Sequence, residues 1–167
     1  MFSLNLQGDI HDTIPMRNPG LNTSSALIRK ESFELCGLFD ESLPASEDWD
    51  LFIRLSEKYH FFPVRKPLVI THRDGTRLST DYRRRILAHS IILQKHMKKL
   101  LIQPKALSYH YYLIGIYLLY CNEYCESRNV LRKSIALHPY KIKGCLALLF
   151  TLCPSKLIDK VRELTHG

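Results

Sequence analysis

The chain has 167 residues, of which 46% are hydrophobic and 24% are charged, and this composition excludes a disordered protein. Its length suits one ordinary domain, or two small units that share a core. The formal net charge of +8 indicates an anionic neighbour, such as a phosphate-bearing substrate, nucleic acid or an acidic membrane surface.

The cysteines and the apolar runs indicate the compartment of the protein and whether it spans a membrane. Five cysteines without close pairing fit a reducing compartment. Cys121 and Cys125 have helical spacing, but no second pair or nearby histidine completes a zinc set. No secretory signal opens the chain, and its apolar runs are shorter than the roughly 20 residues that span a bilayer. We therefore expect a cytoplasmic protein that is soluble or lies on the inner membrane face.

The first forty residues predict a short strand and a short helix. Residues 1–20 are weakly patterned, which suggests that part of a domain is missing upstream. The stretch TSSALIR, residues 23–29, suits a strand. Glu31 to Cys36 predicts one or two helical turns, closed by Gly37 in a left-handed conformation.

The most informative stretch is PASEDWDLFIRLSEKY, residues 44–59. Ser46 is a suitable N-cap whose hydroxyl can accept a backbone hydrogen bond. Three acids, Glu47, Asp48 and Asp50, lie within the next four positions, and apolar residues then recur near helical spacing, which predicts a helix with one buried side. The acids have two interpretations. They cap the helix and complement its dipole, or one of them is a general base that points into a cleft.

Two further strands and a polar loop are predicted next. Residues 60–64 and 67–71 read as strands, and Pro67 is permitted at the start of the second. Residues 72–81, HRDGTRLSTD, form either a solvated surface loop or a loop that meets a diphosphate or a metal above the cleft.

Long helical patterns occupy the rest of the chain. They predict a helix over residues 82–102, a helical hairpin over 105–121 and 123–138, a helix over 140–153 and a last one from Pro154. The basic cluster on the first of these is either a solvated helix face or a surface for phosphate or lipid headgroups.

The span from residue 22 to 81 resembles the C-terminal half of the catalytic domain of family 2 glycosyltransferases with the GT-A fold. The resemblance rests on TSSALIRKESFELCGLFDESLPASEDWDLFIRLSEKY followed by PLVITHRDGTRLSTD. It implies an α/β fold, a partial GT-A domain with an incomplete sheet over residues 1–81. An all-α extension would occupy residues 82–167.

The resemblance implies which residues of this sequence correspond to the family's functional residues. Its catalytic base falls on Asp48, with Glu47 in support. Trp49 and Asp50 would bind the acceptor, since a flat aromatic ring suits a sugar face. Three loop residues would serve the donor end: Arg73 and Arg77 for the diphosphate, and His72 for the metal.

The resemblance also implies a reaction. An inverting transferase would move a sugar from a nucleotide-sugar to a glycan or lipid-linked acceptor in polysaccharide or cell-surface glycan assembly. Such enzymes use a divalent metal, Mn or Mg. The family's donor-binding half, which ends in an Asp-x-Asp motif, is not recognisable, so the chain is expected to be truncated. The letters of residues 48–50 match that motif, but their place after Ser-Glu at a helix start identifies them as the base motif.

The tail contains YYLIGIYLLYCNEYCESRNVLRKSIALHPY, residues 111–140, with Leu113-Ile114-Gly115 in its first helix, Asn122-Glu123-Tyr124 at the turn and Pro139 after the second helix. These residues make the tail similar to a single tetratricopeptide repeat over about residues 105–139. One repeat cannot bury its own face, so it would pack on neighbouring helices or on a protein partner. The alternative function is therefore a non-catalytic remnant that acts as a helical interaction module. Nucleic-acid binding is not expected, because aromatic residues do not alternate with the basic ones.

Overall fold

The computed structural model describes residues 9–16, 21–64, 66, 68–70, 81–139 and 142–152. A short 3₁₀ helix, Thr23–Ser25, precedes the second α-helix. The α-helices in these ranges are α1 (Thr13–Met16), α2 (Glu31–Cys36), α3 (Glu47–Leu55), α4 (Tyr82–Lys95), α5 (Met97–Leu101), α6 (Pro104–Tyr120), α7 (Tyr124–Leu137) and α8 (Ile142–Phe150).

The predicted α/β fold with a partial GT-A sheet is wrong, because none of the described residues forms a strand. The first predicted strand begins as the 3₁₀ helix, and residues 60–64 and 68–70 have no regular structure. An extended segment becomes a strand only when a neighbour satisfies its backbone groups, and these segments pair with no strand in the described ranges. The β-branched and aromatic residues of these segments were therefore not sufficient evidence for a strand.

The helical predictions agree better with the structure. The helix over residues 31–36 is confirmed, and Gly37 follows it with φ 75°, donating its N–H to Phe33 O at 2.8 Å. Ser46 precedes α3, but its hydroxyl makes no capping hydrogen bond, so that detail was wrong. The long helix expected from residue 82 is interrupted at His96, which separates α4 from α5.

Helix α3 lies at the centre of the first hydrophobic cluster. Six of its nine residues are buried, so the helix is enclosed on more than the one side expected. Ile14 of α1, Leu43 before α3, and Ala88 and Ile92 of α4 complete the buried part of this cluster. Burial of this kind contributes about 25 cal/mol per Å² of apolar surface, so the packing of α3 in this cluster stabilises the fold.

The C-terminal helices pack one on the next, because α6 packs on α4, α7 on α6 and α8 on α7. Helices α6 and α7 form an antiparallel hairpin, as the pattern predicted, and α8 packs against α7. Buried serines join the hairpin, since Ser108 Oγ donates to Ser134 O at 2.8 Å and Ser127 Oγ donates to Gly115 O at 2.7 Å. Among the described residues, no helix has the length and apolar character needed to cross a bilayer.

Gly115 marks the closest approach within the hairpin. A Cβ added there would lie 2.6 Å from Leu131 Cγ, whereas a Cβ at Gly144 of α8 would lie 3.5 Å from Ile135. We expect Gly115→Ala to lower the free energy of unfolding by about 1–3 kcal/mol through overpacking. The matched Gly144→Ala should raise it by up to about 1 kcal/mol through helix propensity. Urea unfolding of both variants tests this, and equal effects would contradict the close packing at Gly115.

Candidate active site

A cleft of about 600 Å³ opens at the start of α3. The chain before and at the helix start forms one wall, and one face each of α4 and α6 forms the other. The lining residues are Leu43, Pro44, Ala45, Ser46, Glu47, Asp48, Trp49, Arg85, His89, Tyr109, Leu113 and Tyr117. The cleft therefore combines two acids, one arginine, a histidine and three aromatic rings.

Asp48 is the half-buried carboxylate of this cleft. Its Oδ1 accepts a hydrogen bond from the Trp49 amide at 2.7 Å, which fixes the side chain at the helix start. Burial raises the pKa of Asp48 above its ordinary value of 3.8, and the neighbouring Glu47 carboxylate adds to the increase. The Trp49 hydrogen bond and the charge of Arg85 act in the opposite direction. A fixed carboxylate with a raised pKa is suited to accept a proton.

Trp49 forms the buried floor between the cleft and α1. Its indole N–H donates to Ile14 O at 2.8 Å, and only 3% of the residue is exposed. The ring stacks on His110 with centroids 4.6 Å apart and meets His89 edge-on at 5.1 Å. Trp49 therefore lines the cleft and also joins α1 to α3, and its acceptor-binding role stays a prediction.

The two histidines around this indole are held neutral. Burial, the neighbouring His110 and the charge of Arg85 lower the pKa of His89 to about 3. Burial lowers the pKa of His110 to about 4, although Nε2 lies 3.3 Å from the carbonyl oxygen of Pro15. Neither Nδ1 has a hydrogen-bond partner among the described residues.

Sequence reasoning missed the wall formed by α4 and α6. Arg85 and His89 are four residues apart on α4, and Tyr109, Leu113 and Tyr117 repeat at the same spacing on α6. Arg85 Nη1 donates to Tyr117 Oη at 3.0 Å and its guanidinium lies 5.4 Å from that ring centroid. Spacing of four places residues on one helix face, so this signal was present in the sequence.

Asp50 points away from the cleft and has no exposed surface. Its Oδ2 accepts from Arg54 Nε at 2.9 Å and from Lys95 Nζ at 3.0 Å, while its Oδ1 lies 2.8 Å from His96 Nε2. Burial favours a higher pKa, but these hydrogen bonds outweigh it and hold the pKa of Asp50 below 3.8. The acceptor-binding role predicted for Asp50 stays a prediction, and its observed contacts are those of a buried ion-pair centre.

Arg54 extends this centre to the end of α2. Its guanidinium donates to Leu38 O at 2.7 Å, to Gly37 O at 3.2 Å and also to Cys36 O. Lys95 likewise bonds to Asp40 Oδ2 at 2.6 Å. The cluster thereby joins the loop after α2 to α3 and to the junction of α4 and α5.

The predicted donor-end residues His72, Arg73 and Arg77 lie outside the described residues. Within the described part, the one group of three metal-ligand side chains that lie close together is elsewhere, at Asp9, His11 and His60. The described residues of the cleft contain no such group.

A second, shallow groove of about 480 Å³ lies between α4, the start of α5, α6 and α7. No charged side chain lines it, and its residues are Ser90, Leu93, Gln94, Met97, Tyr111, Ile114 and Val130. It contains no carboxylate, imidazole or cationic group, so the cleft at Asp48 is the candidate active site.

Removing the Asp50 carboxylate should destabilise the fold, because the largely buried Arg54 would lose its carboxylate partner and Lys95 would keep only its ion pair with Asp40. We expect Asp50→Ala to lower the free energy of unfolding by about 3–5 kcal/mol. Glu57→Ala, which removes the exposed partner of Lys99 at 3.5 Å, should cost less than about 1 kcal/mol. Chemical denaturation of both variants at pH 7 measures the difference, and comparable losses would refute this account of Asp50.

The neutral histidines predict a loss of stability in mild acid. Unfolded histidine titrates near pH 6.5, whereas His89 and His110 titrate near 3 and 4 in the fold. Between pH 6.5 and 4 the unfolded state binds more protons, so stability falls as pH falls, by up to about 1.4 kcal/mol per pH unit for each histidine. Urea titrations at pH 7, 6 and 5 should show this slope.

The variant His110→Gln removes one of the two groups and should reduce the slope by about 1 kcal/mol per pH unit, whatever its own stability at pH 7. A variant whose slope equals that of the wild type would show that His110 does not titrate in this way.

One family model matches the chain. Residues 18–109, just over half of the 167, match the family described as glycosyltransferase like family 2. No curated protein and no solved structure matches the chain. The matched range contains α2 to α5, the Glu-Asp pair, Arg85 and His89, and it ends at Tyr109 of the cleft. The chain belongs to glycosyltransferase-like family 2.

Proposed function

We propose that the cleft at the start of α3 is the acceptor side of an inverting glycosyltransferase site, with Asp48 as the general base. The single observation that supports this most strongly is the half-buried Asp48 carboxylate in the cleft, with its raised pKa. Membership of a glycosyltransferase family gives the reaction class. The donor is a nucleotide-sugar, and the acceptor is a glycan or a lipid-linked sugar.

The proposed step transfers one proton and exchanges one bond. The Asp48 carboxylate takes the proton from an acceptor hydroxyl as the oxygen attacks the anomeric carbon. The new carbon–oxygen bond forms while the bond to the diphosphate breaks, and the nucleoside diphosphate leaves with the electron pair. Attack opposite the leaving group inverts the configuration at that carbon.

The other cleft residues have supporting roles in this proposal. Glu47 adds negative charge beside Asp48 and so increases its basicity. The half-buried Tyr109 offers an aromatic face to a sugar ring, and the buried rings of Tyr117 and Trp49 line the cleft beside it. Asp50 acts as a positioning residue through α3 rather than by contact with the acceptor.

A cation balances the acids within the same cleft. Arg85 lies among the lining residues, and its charge opposes the pKa increase of Asp48. Tyr117 orients its guanidinium through both a hydrogen bond and a ring contact. We assign Arg85 to hold a polar or anionic part of the bound substrates. Roles for His72, Arg73 and Arg77 at the diphosphate and metal remain predictions.

A second candidate function is a helical interaction module without catalysis. The observation in its favour is on α8, where Ile142 and Leu146 lie one turn apart and expose 73% and 59% of their surface. Exposed apolar residues on one helix face are typical of a partner-binding surface. The tetratricopeptide-like reading of the tail belongs to this alternative.

The variant Asp48→Asn separates the two functions. We expect it to reduce sugar transfer by about 100-fold or more, since general-base catalysis has that magnitude. Stability should be unchanged or slightly higher above pH 4, because the raised pKa means that the fold disfavours the ionised carboxylate. Transfer is measured with labelled nucleotide-sugars and a panel of glycan and lipid-linked acceptors, and folding by thermal melting.

The control is Glu57→Gln, which neutralises an exposed carboxylate after α3, outside the cleft. It should keep the wild-type rate. The wild-type rate should also decline as the pH falls through the raised pKa of Asp48. If Asp48→Asn transfers sugar as fast as the wild type, Asp48 is not the base.

A further inference from the structure

Three side chains with metal-ligand chemistry meet at the far end of α3 from Asp48. Asp9 and His11 come from the segment before α1, and His60 comes from the chain after α3. One ligand atom from each lies within 4.8 Å of the other two. None of the three lines the cleft.

One carboxylate oxygen of Asp9 faces both imidazoles. His11 Nδ1 lies 2.7 Å from Asp9 Oδ2, and His60 Nδ1 also contacts this oxygen. Two ligands about 2.1 Å from a tetrahedral metal are about 3.4 Å apart. Small outward side-chain movements would therefore admit an ion at the centre of the group.

The backbone already orients the carboxylate for this purpose. Asp9 Oδ1 accepts from the amide of Phe61 at 3.0 Å and from the amide of His11 at 3.2 Å. Ile10 N donates to Phe61 O at 3.1 Å, so the two segments are joined through their main chains as well. The second oxygen is thereby held toward the two histidines.

One histidine also has the outer partner that metal ligands usually have. His11 Nε2 lies 3.3 Å from Asp12 Oδ1, on the side of the ring opposite Nδ1. A carboxylate on the outer nitrogen fixes the tautomer and makes the ligating nitrogen more basic. The group thus has three side chains that can bind a metal directly, from two segments of the chain, and Asp12 supports one of them from the side away from the metal.

We propose that Asp9, His11 and His60 bind a divalent transition metal, with zinc as the best fit to two imidazoles and one carboxylate. The ion joins the segment before α1 to the chain after α3. It is separate from the metal expected for sugar transfer and stabilises the fold. At least one coordination position remains for water.

Direct titration of the untagged 167-residue chain with ZnCl₂ tests the proposal. We expect one zinc per chain by calorimetry, and a rise in melting temperature with zinc because the ion binds the folded state. When Co²⁺ replaces zinc, the protein should show the visible absorption bands of cobalt bound at a site of low symmetry. Asp9→Ala and His60→Ala should each weaken zinc binding by more than about 100-fold, and Asp12→Asn by about 10-fold.

The matched control is His138→Ala, which removes a histidine from the end of α7, outside the metal-ligand group. It should bind zinc as the wild type does. Melting without zinc shows that each variant is folded. The proposal fails if the wild type binds no zinc, which would mean a hydrogen-bonded cluster only, or if His60→Ala and His138→Ala bind zinc equally. Neither outcome depends on sugar transfer.

Discussion

The buried Asp50 carboxylate is the constraint on which the rest of the structure depends. A carboxylate with no exposed surface is tolerated only when its charge is matched, and Arg54, Lys95 and His96 surround it. These partners come from α3 itself and from the junction of α4 and α5. The need to match this one charge therefore fixes how α4 and α5 meet α3.

The same constraint sets the direction of Asp48. Residues two apart on a helix are about 200° apart around its axis, so Asp48 and Asp50 leave α3 on nearly opposite sides. Asp50 is held inward by its ion pairs, and Asp48 is thereby turned toward the cleft. Trp49, between them, is fastened to α1 through Ile14 O. The three consecutive residues therefore have different positions. Asp48 faces the cleft, Trp49 forms its floor, and Asp50 is the buried centre of the ion pairs.

Local helical signals were readable from the sequence, whereas the fold class was not. The α2 boundaries and the positive φ of Gly37 follow from short-range pattern. The predicted strands failed because a strand depends on a distant partner that no local pattern reports. The burial of Asp50 was missed for a related reason. Its partners Lys95 and His96 lie more than forty residues away, and Lys95 was interpreted only as a member of the basic cluster on the helix over residues 82–102.

The cleft also crosses the boundary predicted at residue 81. A resemblance that ends at Asp81 leaves α4 and α6 as an appendage, yet Arg85, His89 and Tyr109 complete the wall opposite Asp48. The family match reaches residue 109 and so includes all three. Helix α4 contributes to both the ion pairs and the cleft. Its Lys95 bonds to Asp50, whereas its Arg85, almost three turns earlier, lines the cleft. Any shift of α4 along α3 would therefore alter the charge around the base and the anchor together, which couples the stability of this helix pair to the chemistry proposed for Asp48.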